Sequence, residues 1–444
     1  MFETIKNAFK IKEVRKKIFW TLFLIFVYRI GCFIPVPGIQ VKQFSDAIGG
    51  NQFLNIMSAI TGGSLSQGTL FAIGISPYIN ASIIIQLLTV AIPPLERLSK
   101  QGESGRKKIN QITRYVTIVL AIIQAVGLLL SFQNSDIIDF FILGQNTAGE
   151  PVMARWLVYV FVVLMLTAGA AFTMWIGERI TEKGISNGIS MLIFVGILAT
   201  AGHQIGIVIA ALFNPAYGAN RTTYAWQLVL FLVAVVLIFA AIVFVDGGER
   251  KVHVQYAKQI KGRKMYGGQS TFIPIRVNAN GVLPLIFAFS LLSFPQLIIS
   301  TFWGGNDPTW WERNVGAGGW VHTVLLGLLI LFFSYFYSQI QFNTEEIAKE
   351  IQQNGGFIPG IRPGKPTTEH LGKISNRITL FGAIFLAAIA IVPNIIFMYV
   401  GAAEIGLLNA MSATGMLIIV SVSLEFEKAL QNQILSRHYK GFLK

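Results

Sequence analysis

Ten stretches of the chain are apolar almost without interruption over the length a membrane helix needs, about 20 residues for a hydrocarbon core of ~30 Å. They run roughly over 18–36, 70–92, 115–132, 156–176, 188–213, 226–245, 281–302, 320–340, 378–400 and 405–426. Each predicts a transmembrane helix, and charged or glycine- and proline-rich connections separate them. An even number of spans leaves both termini on one side of the membrane. Division after the fifth span gives two halves, 1–213 and 214–444, with five helices each. An odd number per half inserts the second half inverted relative to the first. The pattern therefore predicts an all-α integral membrane protein, with ten transmembrane helices in two inverted pseudo-repeats of five. No residue-level repeat accompanies this symmetry.

Composition strengthens the membrane assignment. Of the 444 residues 53 % are hydrophobic and 13 % charged, and the mean hydropathy is +0.61. Soluble chains carry about 25 % charged residues, and a single core stops growing near ~250–300 residues, so the missing polar surface faces lipid. An aromatic content of 12 % excludes intrinsic disorder. A lone cysteine, Cys32, excludes a disulfide scaffold. The first stretch carries Arg29 and runs into Ile34-Pro35-Val36-Pro37-Gly38 instead of a small-residue cleavage site, so it is not read as a cleaved signal peptide.

Charge sets the expected orientation. The net charge is +14, which in a soluble protein would point to nucleic acid. Here the cations are segregated. Lys and Arg number six in 1–17, six in 93–114, two in 177–187, seven in 246–278, five in 341–377 and four in 425–444. The opposite face carries four: Lys42, Arg155, Arg221 and Arg313. By the positive-inside rule the termini and the large basic loops are cytoplasmic.

The spans are poor in groups that titrate or coordinate. Arg29 lies near the outer end of the first helix, either paired to helix-end carbonyls or reaching outward; His322 and Glu404 sit at span edges. No buried acidic pair is present to couple transport to protons or ions. Gly184-Ile185-Ser186-Asn187-Gly188 has the letters of a hydrolase nucleophile elbow, but it joins two membrane helices and lacks the strand and the Asp and His partners. The five histidines are scattered, and no phosphate-binding G-x-x-x-x-G-K-[ST] occurs. The expectation is a protein that is not an enzyme, with no cofactor and no metal, driven by a partner or a gradient. Asn220-Arg221-Thr222 is a sequon best explained by chance.

Two regions stand out. Thr61-Gly62-Gly63-Ser64-Leu65-Ser66-Gln67-Gly68 precedes the second span, which is broken at Gly74 and Pro77. Irregular backbone at membrane depth survives only where it is buried or lines a watery cavity. A short plug-like segment folded into a cavity satisfies that rule, and so does an outside loop followed by a kinked helix. Beyond the break, Asn80, Ser82 and Gln86 are read as one polar face, lining a passage or joining helices by hydrogen bonds. On the basic side, loop 341–377 holds Gly355-Gly356-Phe357-Ile358-Pro359-Gly360-Ile361-Arg362-Pro363-Gly364, a turn-rich tip with one arginine between apolar residues. An ordered tip of that kind suggests a docking site for a protein or RNA.

Several long stretches together resemble one family over essentially the whole chain. They are Tyr28–Gly31 with Pro35–Gly38, Gly74–Leu88, Gly102–Ile109, Trp175–Ile185 and Pro359–Gly364. The chain resembles the SecY family, the channel-forming subunits of the bacterial preprotein translocase. Asp246-Gly247-Gly248-Glu249-Arg250 departs from the acid-Arg-Gly pattern usual in that family. The resemblance implies a central hourglass pore between the halves, its waist a ring formed by Ile75, Ile79, Ile189, Ile193, Ile286 and Ile418. It also implies a plug near 61–73 and a lateral gate between the second and third helices and the seventh and eighth, with Asn80, Ser82 and Gln86 as its polar face. Arg263, Lys264 and Arg362 would dock the motor ATPase, SecA, or the translating ribosome. SecE and SecG would be the small membrane partners, signal sequences and unfolded preproteins the substrates, and lipid the destination of released helices. The setting would be the bacterial plasma membrane. The competing reading is an inverted-repeat small-solute transporter, which asks for a polar binding site at the midplane. An RNA-binding membrane anchor would explain the basic loops alone.

Overall fold

The structure, a computed structural model, describes residues 2–49, 54, 57–58, 61–131, 155–213, 221–256, 259–261, 264–266, 270–278, 281, 283–302, 314–315, 319–399 and 413–441. Among them, ten helices fall on the ten apolar stretches. A short basic helix, α1 (Phe2–Lys10), leads into α2 (Lys12–Gly31), and α3 (Val41–Gly49) follows. The second stretch becomes α4 (Ser76–Ala91), which turns by 100° at Ile92 into α5 (Pro93–Lys100). The first half is completed by α6 (Glu103–Ser131), α7 (Arg155–Lys183) and α8 (Gly188–Phe213). The second half has α9 (Arg221–Asp246), α10 (Leu283–Phe302), α11 (Trp320–Gln341), α12 (Thr344–Gln353), α13 (Lys365–Tyr399) and α14 (Ala413–Gly441).

Four helical segments among the described residues are long and apolar enough to cross a membrane unaided, and the bent pair α4–α5 makes a fifth. The apolar parts of α8, α9 and α10 described here are shorter. In α2 the lysines and arginine before Ile18 bring charge into the helix. Several helices outrun their apolar stretch: α6 starts at Glu103, α13 at Lys365, and α14 runs to Gly441. Those extensions lie in the basic segments 93–114, 341–377 and 425–444.

The loop after α9 adds a small sheet. Strand β1 (Glu249–Tyr256) pairs antiparallel with β4 (Ser270–Arg276), and β5 (Gly356–Phe357) joins the other edge of β1. Between them, β2 (Gln259–Lys261) and β3 (Lys264–Tyr266) form a hairpin. Val252 and Val254 alternate with exposed residues along β1, the period-2 pattern of a half-buried strand. They pack with Ile275, Ile351, Ile358 and Leu371 in a separate core that ties the sheet to α12 and α13.

The six basic segments form one linked surface. Ala8, Val14, Ile18, Ile185 and Leu430 bury against one another and join α1 and α2, the α7–α8 turn and the tail helix α14. Asp246, itself buried, accepts from Asn278 Nδ2 at 3.0 Å and from Lys428 Nζ at 3.1 Å. Arg114 and Glu178 make a two-pronged pair, both contacts 2.9 Å, between α6 and α7.

Candidate functional site

The largest buried cluster spans both halves, and the six isoleucines converge in it. Ile75 caps α4 and Ile79 stands four residues on; Ile189 and Ile193 are one turn apart at the start of α8. Ile286 is in the first turn of α10 and Ile418 in the second turn of α14. Ile75, Ile79, Ile193, Ile286 and Ile418 are 3–8 % exposed, and Ile189 is half-buried against them. A Cβ on Gly177 of α7 would lie 3.5 Å from both Ile75 Cδ1 and Ile189 Cγ1, so these two tips meet over one glycine. Branched aliphatic side chains from four helices offer an ion nothing to coordinate, and a narrow constriction so lined dewets.

Residues 61–74 pack between two clusters: Phe71 belongs to this one, whereas Leu65, Ala72 and Ile73 join a second cluster with Phe44 of α3, Ala121 of α6 and Val162 of α7. In this segment, which ends where α4 begins at Ser76, Thr61, Ser64, Leu65, Thr69, Phe71, Ala72 and Ile73 are buried. The backbone is pinned where Val36 N donates to Gly68 O and Leu70 N donates to Ile34 O, both at 2.9 Å. Phe71 stacks between Tyr28, at 5.7 Å, and Phe172, at 6.0 Å. A Cβ on Gly169 of α7 would fall 1.8 Å from Leu70 O, so the segment lies directly on that helix. Arg29 reaches a carbonyl of this turn segment, not of a helix end: Nη1 donates to Gly62 O at 3.5 Å, with the guanidinium 5.3 Å from the Phe33 ring centre.

The seam between the halves runs along α10. This helix packs on α4 and α6 of the first half and on α11 of its own. Gln86 faces the seam: its amide oxygen accepts from the Tyr337 hydroxyl of α11, and its Nε2 donates to Ser82 Oγ at 3.3 Å. Asn80 does not share that face. Two residues turn a helix by about 200°, so Asn80 and Ser82 point to different sides, and Asn80 is buried. The polar face read from sequence is thus Ser82 with Gln86, one turn apart. Tyr337 was missed there; the run Ser334-Tyr335-Phe336-Tyr337-Ser338-Gln339 near the end of the eighth stretch was the available signal.

Of the basic residues singled out, Arg362 is exposed at the tip between β5 and α13. Its carbonyl accepts from Thr367 Oγ1 at 2.9 Å. The isoleucines flanking the tip face inward: Ile358 is buried in the sheet core and Ile361 packs against it. They hold the arginine out and do not present an apolar surface. Lys264 begins β3, opposite Lys261. Arg263 lies outside the described residues, as does Glu404.

Fold and site together define a multi-pass helical membrane protein whose two halves share one buried apolar cluster. The SecY family model matches residues 69–427. The chain is 41 % identical over 457 residues to the protein translocase subunit SecY of Streptomyces galbus, with 100 % of both chains covered. It is 40 % identical over 449 residues to that of Halalkalibacterium halodurans, again with 100 % of both covered. A solved protein-conducting channel superposes with a TM-score of 0.63 at 19 % identity, covering 95 % of this chain and 92 % of that one. Sec61 in the canine ribosome–channel complex from the endoplasmic reticulum gives 0.58 at 17 % identity, with 95 % and 92 % covered. The chain belongs to the SecY family of protein translocase subunits, and its ten-helix fold is that of the protein-conducting channels.

Proposed function

We propose that the chain passes unfolded secretory proteins through the isoleucine waist and releases apolar helices sideways between α4 and α6 on one side and α10 and α11 on the other. The two units are 1–213 and 214–444. Residues 61–73 seal the waist from the outer side until a substrate displaces them. The single observation that carries this proposal is that the six isoleucines, drawn from both units, lie in or against one buried cluster that also takes in Phe71 of that segment. A ring without hydrogen-bonding groups deforms around any passing side chain and holds none of them. The small-solute alternative asks for a polar site at the same depth, where these six side chains are aliphatic.

The linked basic surface faces the cytoplasm of a bacterial cell in this proposal, with the membrane its plasma membrane. Arg263, Lys264 and Arg362 dock the motor ATPase SecA or the ribosome. SecE and SecG complete the membrane complex. Support for a ribosome comes from relatives: the canine Sec61 structure is a ribosome–channel complex, and a yeast Ssh1 complex, TM-score 0.55, is bound to the 80S ribosome.

Vesicles containing the chain with its small membrane partners, supplied with motor and ATP, test the function. A precursor with a signal sequence becomes protected from external protease, and the same precursor without it does not. Protection of neither, with uptake of a small solute instead, would return the transporter.

A further inference from the structure

We propose that the cleft between α6 and α7, at the charged end of both helices, binds the headgroup of one phosphatidylethanolamine. The site is independent of the translocation route and needs only the chain's place in a membrane.

The cleft encloses about 360 Å³ and is lined by Arg114 of α6 and by Met174, Trp175, Glu178, Arg179 and Glu182 of α7. Steps of three and four residues put the α7 members on one helix face. Arg114 directly precedes the third apolar stretch, and Trp175 lies at the end of the fourth. An indole at that position marks the membrane–water interface, so the cleft sits at headgroup depth. Its charges balance. Arg114 is held to Glu178 by the two-pronged pair. Arg179 Nη1 donates to Glu182 Oε2 at 2.6 Å, with the guanidinium 5.6 Å from the Trp175 ring centre. This second pair is the more open, its side chains 37 % and 61 % exposed. With two guanidinium groups and two carboxylates, a headgroup of one sign always meets two like charges. A zwitterion does not: its phosphate oxygens accept from Arg179, and its primary ammonium donates to Glu182 beside the indole face. A choline headgroup carries no N–H for that carboxylate. Phe172, one turn before Trp175 and stacked on it at 5.5 Å, is 42 % exposed. It offers the acyl chains an apolar bed, which favours the lipid over soluble phosphoethanolamine.

The test titrates the full chain, in detergent micelles, with phosphatidylethanolamine, phosphatidylcholine or phosphatidylglycerol and counts bound lipid by native mass spectrometry. The first phosphatidylethanolamine is expected to bind about two- to five-fold more tightly than either other lipid, the span that one partly exposed charge pair commands. Arg179→Gln removes the phosphate partner and should cancel that preference. Glu182→Gln leaves a guanidinium unbalanced, so phosphatidylglycerol should gain and phosphatidylethanolamine lose, reversing the order. Both side chains are open to solvent, and the thermal midpoint should stay within a degree or so of the unsubstituted chain in each variant. Equal affinity for the three lipids, a preference of the unsubstituted chain for phosphatidylglycerol, or variants that bind as it does would each overturn the site. Soluble phosphoethanolamine should displace the lipid only at about tenfold higher concentration or more, because it lacks the apolar contact. Displacement at equal concentration would overturn the membrane source of the ligand.

Discussion

Two glycine-rich segments of this chain use the same backbone chemistry and end in opposite surroundings. The inward segment 61–74 and the basic-face tip 355–364 both turn on left-handed glycines, among them Gly62 at φ +72° and Gly360 at φ +81°. At Gly62 a Cβ would meet Arg29 Nη1 at 2.8 Å and the Gly196 Cα at 2.9 Å, whereas at Gly360 nothing lies within 4 Å. Gly360 is required by conformation alone. Gly62 is required by conformation and by space, because Arg29 and the backbone of α8 close on it. One turn-rich segment is seated and the other is presented, and only packing distinguishes them.

That contrast can be broken by substitution. The largest effect on the fold is expected from Gly169→Ala. Alanine in place of glycine normally favours a helix by about 1 kcal/mol, but here the methyl collides with Leu70 O. Overpacking of this kind costs about 3 kcal/mol at its upper range, so the substitution should lower the thermal midpoint and unseat the segment, seen as ion conductance across planar bilayers. Polar replacement of the waist, Ile79→Asn with Ile193→Asn, comes next. Burying an amide without a partner costs roughly 1–3 kcal/mol, and the wetted ring should leak ions; unchanged conductance would reduce the isoleucines to packing. At the tip, Gly360→Ala meets only the left-handed strain of about 1–2 kcal/mol, with no change in leakage. Arg362→Glu should shift stability by less than about 0.5 kcal/mol, as exposed substitutions do, yet reduce motor- or ribosome-driven export several-fold. Normal export by that variant would remove Arg362 from the docking surface.

Sequence periodicity located the helices well because lipid demands long apolar runs, and the ten stretches reappear as helices within a few residues at most ends. What it passed over were features that the apolar window does not register. The start of α13 at Lys365 and the reach of α14 to Gly441 are amphipathic and continue beyond the membrane. The β1–β4 hairpin showed itself only in the short alternation Lys251-Val252-His253-Val254, inside a segment dominated by charge. At the tip, Ile358 and Ile361 read as exposed apolar flanks, although a second small core had claimed them. At the seam, Asn80 was read with Ser82 and Gln86 as one helical face, and the actual turn of about 200° over two residues separates it. The proposed isoleucine waist needed the family pattern, since six isoleucines among so many apolar residues carry no signal of their own.

The most direct measurement is photocrosslinking from the waist. A photoreactive amino acid at position 79 would be challenged with a secretory precursor stalled during export. Adducts to the mature region of the precursor, lost when its signal sequence is deleted, are the predicted result and put the translocating chain at the ring. Absence of adducts while the precursor still crosses the membrane would contradict a route through the isoleucines.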